Sequence, residues 1–210
     1  MQDLRKLIAG FKRFQKNYFK SDDMLYEELS KGQRPKVLVI GCCDSRVDPA
    51  IITDSRPGEL FVVRNVANLV PPYEPDGHYH GVSSAVEYAV RFLNVEHVIV
   101  LGHSNCGGIN ALLRGSDDAL IGEFIDQWVA IAKPAREAVL RNLGHKPLRL
   151  QQQACEEASI LISLENLLTF PWLARRVEAG TLSLHGWYFD LDMGKLLSYN
   201  PDNGQFETLA

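Results

Sequence analysis

The chain has 210 residues, 46% of them hydrophobic, and a formal net charge of −4. This composition suits one globular domain with a sizeable core, and the acidic balance excludes the basic footprint of a nucleic-acid binder. No apolar run is long enough to span a membrane, and the N-terminus lacks the apolar stretch and cleavage site of a secretion signal. Cys42, Cys43, Cys106 and Cys155 follow no disulfide-framework spacing, so a reducing cytoplasm is the expected setting.

Residues 3–19 carry Leu4, Leu7, Ile8, Phe11, Phe14 and Tyr18 on one face at helical spacing. So apolar a face on a terminal arm needs a surface to cover it, either its own domain or a second subunit. Val37-Leu38-Val39-Ile40 is a β-branched run that reads as a buried parallel strand ending at Gly41. Residues 59–66 and 96–101 give two more strands, separated by a helix over 81–93 whose stripe is Val82, Ala85, Val86, Ala89, Val90 and Leu93. Strand, helix, strand implies a parallel sheet with right-handed crossovers. Helical patterns then cover 108–113, 120–142, 148–168 and 171–180, with a break at Gly144-His145-Lys146-Pro147. Residues 181–191 alternate as a strand and pair with 195–199 in a hairpin. The expected fold is α/β: a central, mostly parallel sheet flanked by helices, with an N-terminal helical arm and a C-terminal antiparallel edge hairpin.

Two short segments carry the chemistry. Cys42-Cys43-Asp44-Ser45-Arg46 follows the first strand, and His103-Ser104-Asn105-Cys106-Gly107-Gly108 follows the third, 61 residues on from Cys42 to His103. Ligands bind at the carboxyl ends of strands in open α/β sheets. Two thiolates and one imidazole suit a tetrahedral zinc ion and leave a fourth position for water, the mark of a catalytic rather than a structural site. Asp44 would accept the hydrogen of zinc-bound hydroxide and orient its lone pair, with Arg46 pairing the carboxylate and keeping it ionised. Alternatively, Asp44 could bind zinc itself and close the site, which the Arg46 pair would oppose. Gly107 and Gly108 let backbone amides at a helix N-terminus approach an anion.

At this point the chain resembles a β-class carbonic anhydrase. The matching segments are 41–47, 58–68 and 102–108, with Glu87-Tyr88-Ala89-Val90 and His185-Gly186-Trp187. The resemblance implies one zinc per subunit on Cys42, His103 and Cys106, an Asp44–Arg46 dyad, and reversible hydration of CO2 to bicarbonate and a proton. It also implies an obligate dimer that can form tetramers or larger assemblies. One family subtype closes its site with the aspartate and binds bicarbonate beside a tryptophan, an arginine and a tyrosine. Here those positions are Val39, Arg64 and Phe189, with Tyr188 one residue early. The other, plant-like subtype stays open and lines its site with Gln33, Phe61, Val66 and Tyr88 in this numbering, some of them from the neighbouring subunit. The chain is therefore expected to be of the open subtype, with Gln33 donating a hydrogen bond to substrate or product. Residues 1–210 read as one zinc-dependent domain, with 1–30 as an arm that packs on a partner subunit.

Where some plant members carry a proton-shuttling histidine, this chain has Phe92, which leaves His78, His80 and His97 as candidates by chemistry alone. Cys155 is expected in the core. Two rival functions share the scaffold: hydrolysis of CS2 or COS, and a non-enzymatic zinc- or bicarbonate-binding protein, for which an oriented hydroxide would serve no purpose.

Overall fold

The computed structural model describes residues 2–19, 24–115 and 122–210, in two compact units, 1–34 and 35–210. In the first unit, α1 (Gln2–Phe19) and α2 (Leu25–Leu29) are joined by an aromatic cluster. Phe14 lies 4.9 Å from Tyr18 and 5.4 Å from Tyr26, and Phe19 lies 4.7 Å from Tyr26, ring to ring. No residue of α1 is buried, and Leu4, Leu7, Ile8 and Phe11 are exposed.

The second unit is built on β1 (Val37–Cys42), β2 (Leu60–Asn65), β3 (His97–His103), β4 (Ser183–Asp190), β5 (Lys195–Asn200) and β6 (Gln205–Thr208). They form one sheet in the order β2-β1-β3-β4-β5-β6. The first four strands run parallel, and β5 and β6 extend the edge antiparallel. The helices are α3 (Pro49–Ile52), α4 (Gly81–Glu87), α5 (Gly107–Arg114), α6 (Ile125–Val129), α7 (Lys133–Leu143), α8 (Leu148–Leu168) and α9 (Pro171–Glu178). Leu38, Ile40, Val98 and Val100 pack on one face against Val82 and Val86 of α4 and Ile160 and Leu167 of α8. Val39, Ile99 and Leu101 pack on the other, against Ile52 of α3 and Trp187. A strand covered on both faces explains why β1 reads as a continuous apolar run instead of an alternation.

The expected elements recur with three local differences. The 81–93 helix ends in a π-helical turn, Tyr88–Phe92, with Leu93 N donating to Tyr88 O. The 120–142 pattern is interrupted: α6 passes through a 3-10 turn (Ala130–Ala132) before α7 begins. Pro134 lies in the first turn of α7, where its missing N–H costs nothing, whereas inside one continuous helix it would break the ladder. Residues 120 and 121 lie outside the described set. Third, β6 closes the edge after a turn at Gly204, φ 70°, with Phe206 packing on Tyr199 at 5.5 Å between centroids.

The long helix α8 lies close across β3 and β4. A Cβ on Gly102 would meet Ile160 at 2.7 and 2.9 Å, and one on Gly186 would meet it at 2.9 Å. Ile160 is fully buried and has nowhere to move. Gly102→Ala is therefore expected to destabilise the chain by about 1–3 kcal/mol through overpacking. Urea unfolding tests this, and an unchanged midpoint would contradict the packing.

Candidate metal centre

Parallel pairing of β1 with β3, Gly41 opposite Leu101, brings the carboxyl ends of two strands side by side. Cys42 ends one and His103 the other; Cys106 follows after a turn in which Asn105 adopts φ 58°. All three side chains are buried, and their ligand atoms lie within 4.8 Å of one another. The two sulfurs are 4.0 Å apart, close to the ~3.8 Å edge of a tetrahedron with zinc–sulfur bonds of about 2.3 Å. His103 donates from Nδ1 to Ser104 O at 2.8 Å, since a carbonyl can only accept. In the neutral ring this leaves the lone pair on Nε2, which is buried without a hydrogen-bond partner. Such an outer hydrogen bond fixes the tautomer of a metal-ligating histidine. Ser104 is itself tied to β4: its amide donates to Phe189 O, and its hydroxyl accepts from Leu191 N.

The donor set fits a thiophilic ion such as zinc. The hydrogen bond from Cys106 lowers the Cys42 thiol below its usual range, while Cys106 is raised by that same bond and by burial. A metal dication removes both protons.

Asp44 stands beside this cluster and outside the three-ligand group. Arg46 grips it in a fork, Nε to Oδ1 at 2.9 Å and Nη2 to Oδ2 at 2.7 Å, and the Arg46 amide adds a bond to Oδ1 at 3.0 Å. These bonds hold the Asp44 carboxyl well below the usual carboxylate range. Arg46 Nη2 also reaches Asn105 O at 3.2 Å, which links the two chemistry-bearing segments. Arg64 secures the same loop from β2, donating to Cys42 O, Asp44 O and Asp48 Oδ2 at 2.7–2.8 Å.

Three other expected residues border the centre. Gly108 sits against the turn after β2, where a Cβ would meet Val66 Cγ1 at 2.7 Å and Ala67 Cβ at 3.0 Å. A Cβ at Gly107 would meet nothing within 4 Å, so the start of α5 is open there. Val66 is 38% exposed, and its carbonyl accepts from Trp128 Nε1 at 2.7 Å.

Phe61 and Tyr88 lie elsewhere. Phe61 is paired with Leu38, whereas Asn65 pairs with Cys42; four strand residues put Phe61 roughly 13 Å back along β2. It packs on Tyr88, and Tyr88 on Phe92, at 5.8 and 5.6 Å. Gln33 belongs to the first unit. His97 begins β3, six residues before His103 and roughly 20 Å away, where its Nδ1 lies 3.2 Å from His185 Nε2. Tyr188 is buried and donates to Glu156, so its hydroxyl is engaged in the interior. Glu156 was not singled out from the sequence. Its signal was available: it shares a buried helical stripe with Ser159, Ile160, Ser163 and Leu167, a place where a carboxylate needs dedicated partners.

The carbonic anhydrase family model matches residues 37–196. Over 188 residues the chain is 44% identical to beta carbonic anhydrase 5, chloroplastic, of Arabidopsis thaliana, covering 90% of this chain and 61% of that protein. It is 38% identical over 197 residues to a carbonic anhydrase of Synechocystis, covering 94% and 71%. Among solved structures, the β-carbonic anhydrase CcaA superposes with a TM-score of 0.91 at 36% identity, covering 100% of this chain and 93% of that one. A tetrameric β-carbonic anhydrase of Sordaria macrospora gives 0.83 at 26% identity, covering 94% and 97%. The chain belongs to the β-carbonic anhydrase family. It spans 61% of the length of the Arabidopsis relative.

Thiol reactivity reports on this arrangement. Cys155 is fully buried, and burial pushes its thiol up to about 12, while Cys43 is exposed. In the folded chain an alkylating reagent should modify Cys43 first and spare Cys155, as peptide mass mapping would reveal. Early labelling of Cys155 would contradict its burial.

Proposed function

We propose that this chain is a zinc-dependent carbonic anhydrase of the open-site subtype, catalysing reversible hydration of CO2 to bicarbonate and a proton. The observation that carries the reading is the pairing of a three-ligand cluster, Cys42, His103 and Cys106, with a neighbouring carboxylate already committed to Arg46. One zinc ion per chain, which those three residues would hold, would supply a Lewis acid and lower the pKa of a water towards neutrality.

The chain's own residues then do the following. Arg46 keeps Asp44 charged and holds both of its oxygens. A charged carboxylate can accept but not donate a hydrogen bond, so Asp44 accepts a hydrogen bond from the attacking oxygen and aims the oxygen's lone pair at the CO2 carbon. Val66 supplies apolar wall at the rim. Gly107 leaves the positive end of α5 accessible, which favours the negative charge that develops as bicarbonate forms, and Gly108 lets that end pack closely on Val66 and Ala67.

The remaining lining residues imply a second copy of the chain. Phe61 lies too far back along β2 to reach the centre of its own chain, and Tyr88, packed on Phe61, is 46% exposed. In a dimer they line the neighbour's pocket, with Gln33 donating to substrate or product. The exposed apolar residues of α1 are the surface with which the arm packs on that neighbour. Dimers of this kind can pair into tetramers or larger assemblies. Four unbridged cysteines favour a reducing compartment such as the cytoplasm, and no helix among the described residues is long and apolar enough to cross a membrane.

Two substitutions separate the roles. Cys106→Ala should leave the purified chain without stoichiometric zinc, and an unchanged metal content would defeat the ligand assignment. Asp44→Asn should keep zinc yet lower CO2 hydration by about 10²-fold or more; a fully active variant would remove Asp44 from the mechanism.

A further inference from the structure

Glu156 lies on the buried side of α8, 3% exposed, and three donors converge on it. Its Oε1 accepts from the amide of Cys106 at 2.9 Å and from Gln152 Nε2 at 3.0 Å. Its Oε2 accepts from the hydroxyl of Tyr188, itself 2% exposed, at 2.8 Å. A carboxylate in such a place is costly unless it is hydrogen-bonded on both oxygens, so its partners say what it is for.

The Cys106 amide is the unusual one. It follows the left-handed Asn105 and precedes the first turn of α5, so neither the β3 ladder nor the helix supplies it with an acceptor. The Cys106 carbonyl is already engaged, accepting from Asn110 N at 2.9 Å. Glu156 thus fixes the one end of this residue that secondary structure leaves loose. The same carboxylate ties α8 to β4 through Tyr188, which pairs with Gly102 on β3, one residue before His103.

We propose that Glu156 is a positioning residue of the metal centre: its oxygen holds the Cys106 amide and thereby sets the Cys106 sulfur at the separation from Cys42 that one tetrahedral ion requires. The inference rests on the metal-site reading above. An apolar side chain of similar size could fill the space between α8 and β4, but it would leave the Cys106 N–H unsatisfied and the turn free to shift. Sulfur atoms 4.0 Å apart leave little room for such a shift before the chelate opens.

The test is the zinc dissociation constant, read by chelator competition on metal-free protein, together with thermal unfolding of the metal-free chain. Glu156→Asp withdraws the carboxylate by one methylene and should weaken zinc binding about 10- to 100-fold, the usual range for a lost outer partner. Glu156→Met, which removes the acceptor at similar volume, reads the same effect should the aspartate variant fail to fold. Glu156→Gln keeps an oxygen for the Cys106 amide and should stay near the wild-type constant. Zinc binding unchanged in the aspartate or methionine variant, with only the metal-free unfolding temperature lowered, would mean that Glu156 merely stabilises the fold and would overturn the proposal. A glutamine variant as weak as the methionine one would equally overturn it, because amide positioning would then not be the cause. Wild-type protein that takes up no zinc would instead defeat the metal-site reading.

Discussion

The parallel pairing of β1 with β3 is the contact on which the rest of the site depends. It joins two segments far apart in sequence, Cys42 and His103, at adjacent strand ends. Everything around them limits where those ends can go. Arg64 reaches from β2 to hold the loop after β1, and Ser104 ties the turn after β3 to β4. The glycines at 102 and 186 let α8 approach closely enough for Glu156 to meet the Cys106 amide. A sheet buried on both faces is stiff because its side chains are packed without room to relax, and this stiffness is what a chelate of three side chains from two segments needs.

A second constraint sets the chemistry. Two oxygens of Asp44 face three donors of Arg46, and the bidentate geometry of a guanidinium on a carboxylate gives direction as well as strength. The carboxylate is thereby spent as a charge yet keeps lone pairs free to accept a further hydrogen bond. Arg64 is committed to two backbone carbonyls and Asp48. The Tyr188 hydroxyl is likewise engaged, donating to Glu156.

Much of this was legible in the sequence because the signals were local. The β-branched run at 37–40, the apolar stripe at 82–93 and the two cysteine-bearing segments each needed only a window of residues. The break before α7 was present as Pro134 but masked by apolar spacing that continued through it. Glu156 was missed for a different reason: its meaning lies in an amide fifty residues earlier in the chain, and a helix read alone gives no partner for a buried carboxylate. Phe61 and Tyr88 were expected in the pocket from their place in the sequence, yet strand register sets Phe61 well back from its own chain's centre, and Tyr88 packs on Phe61. Spacing along a chain does not say which copy of the chain a side chain serves.

The central claim is that Arg46 holds Asp44 off the metal, so that the fourth position stays open across the physiological range. Stopped-flow CO2 hydration on zinc-quantified protein, compared at pH about 7 and about 8.5, tests it most directly. An open site predicts substantial turnover at both, with one zinc per chain. Turnover confined to the higher pH would mean that Asp44 closes onto the metal as the pH falls, and would contradict the account.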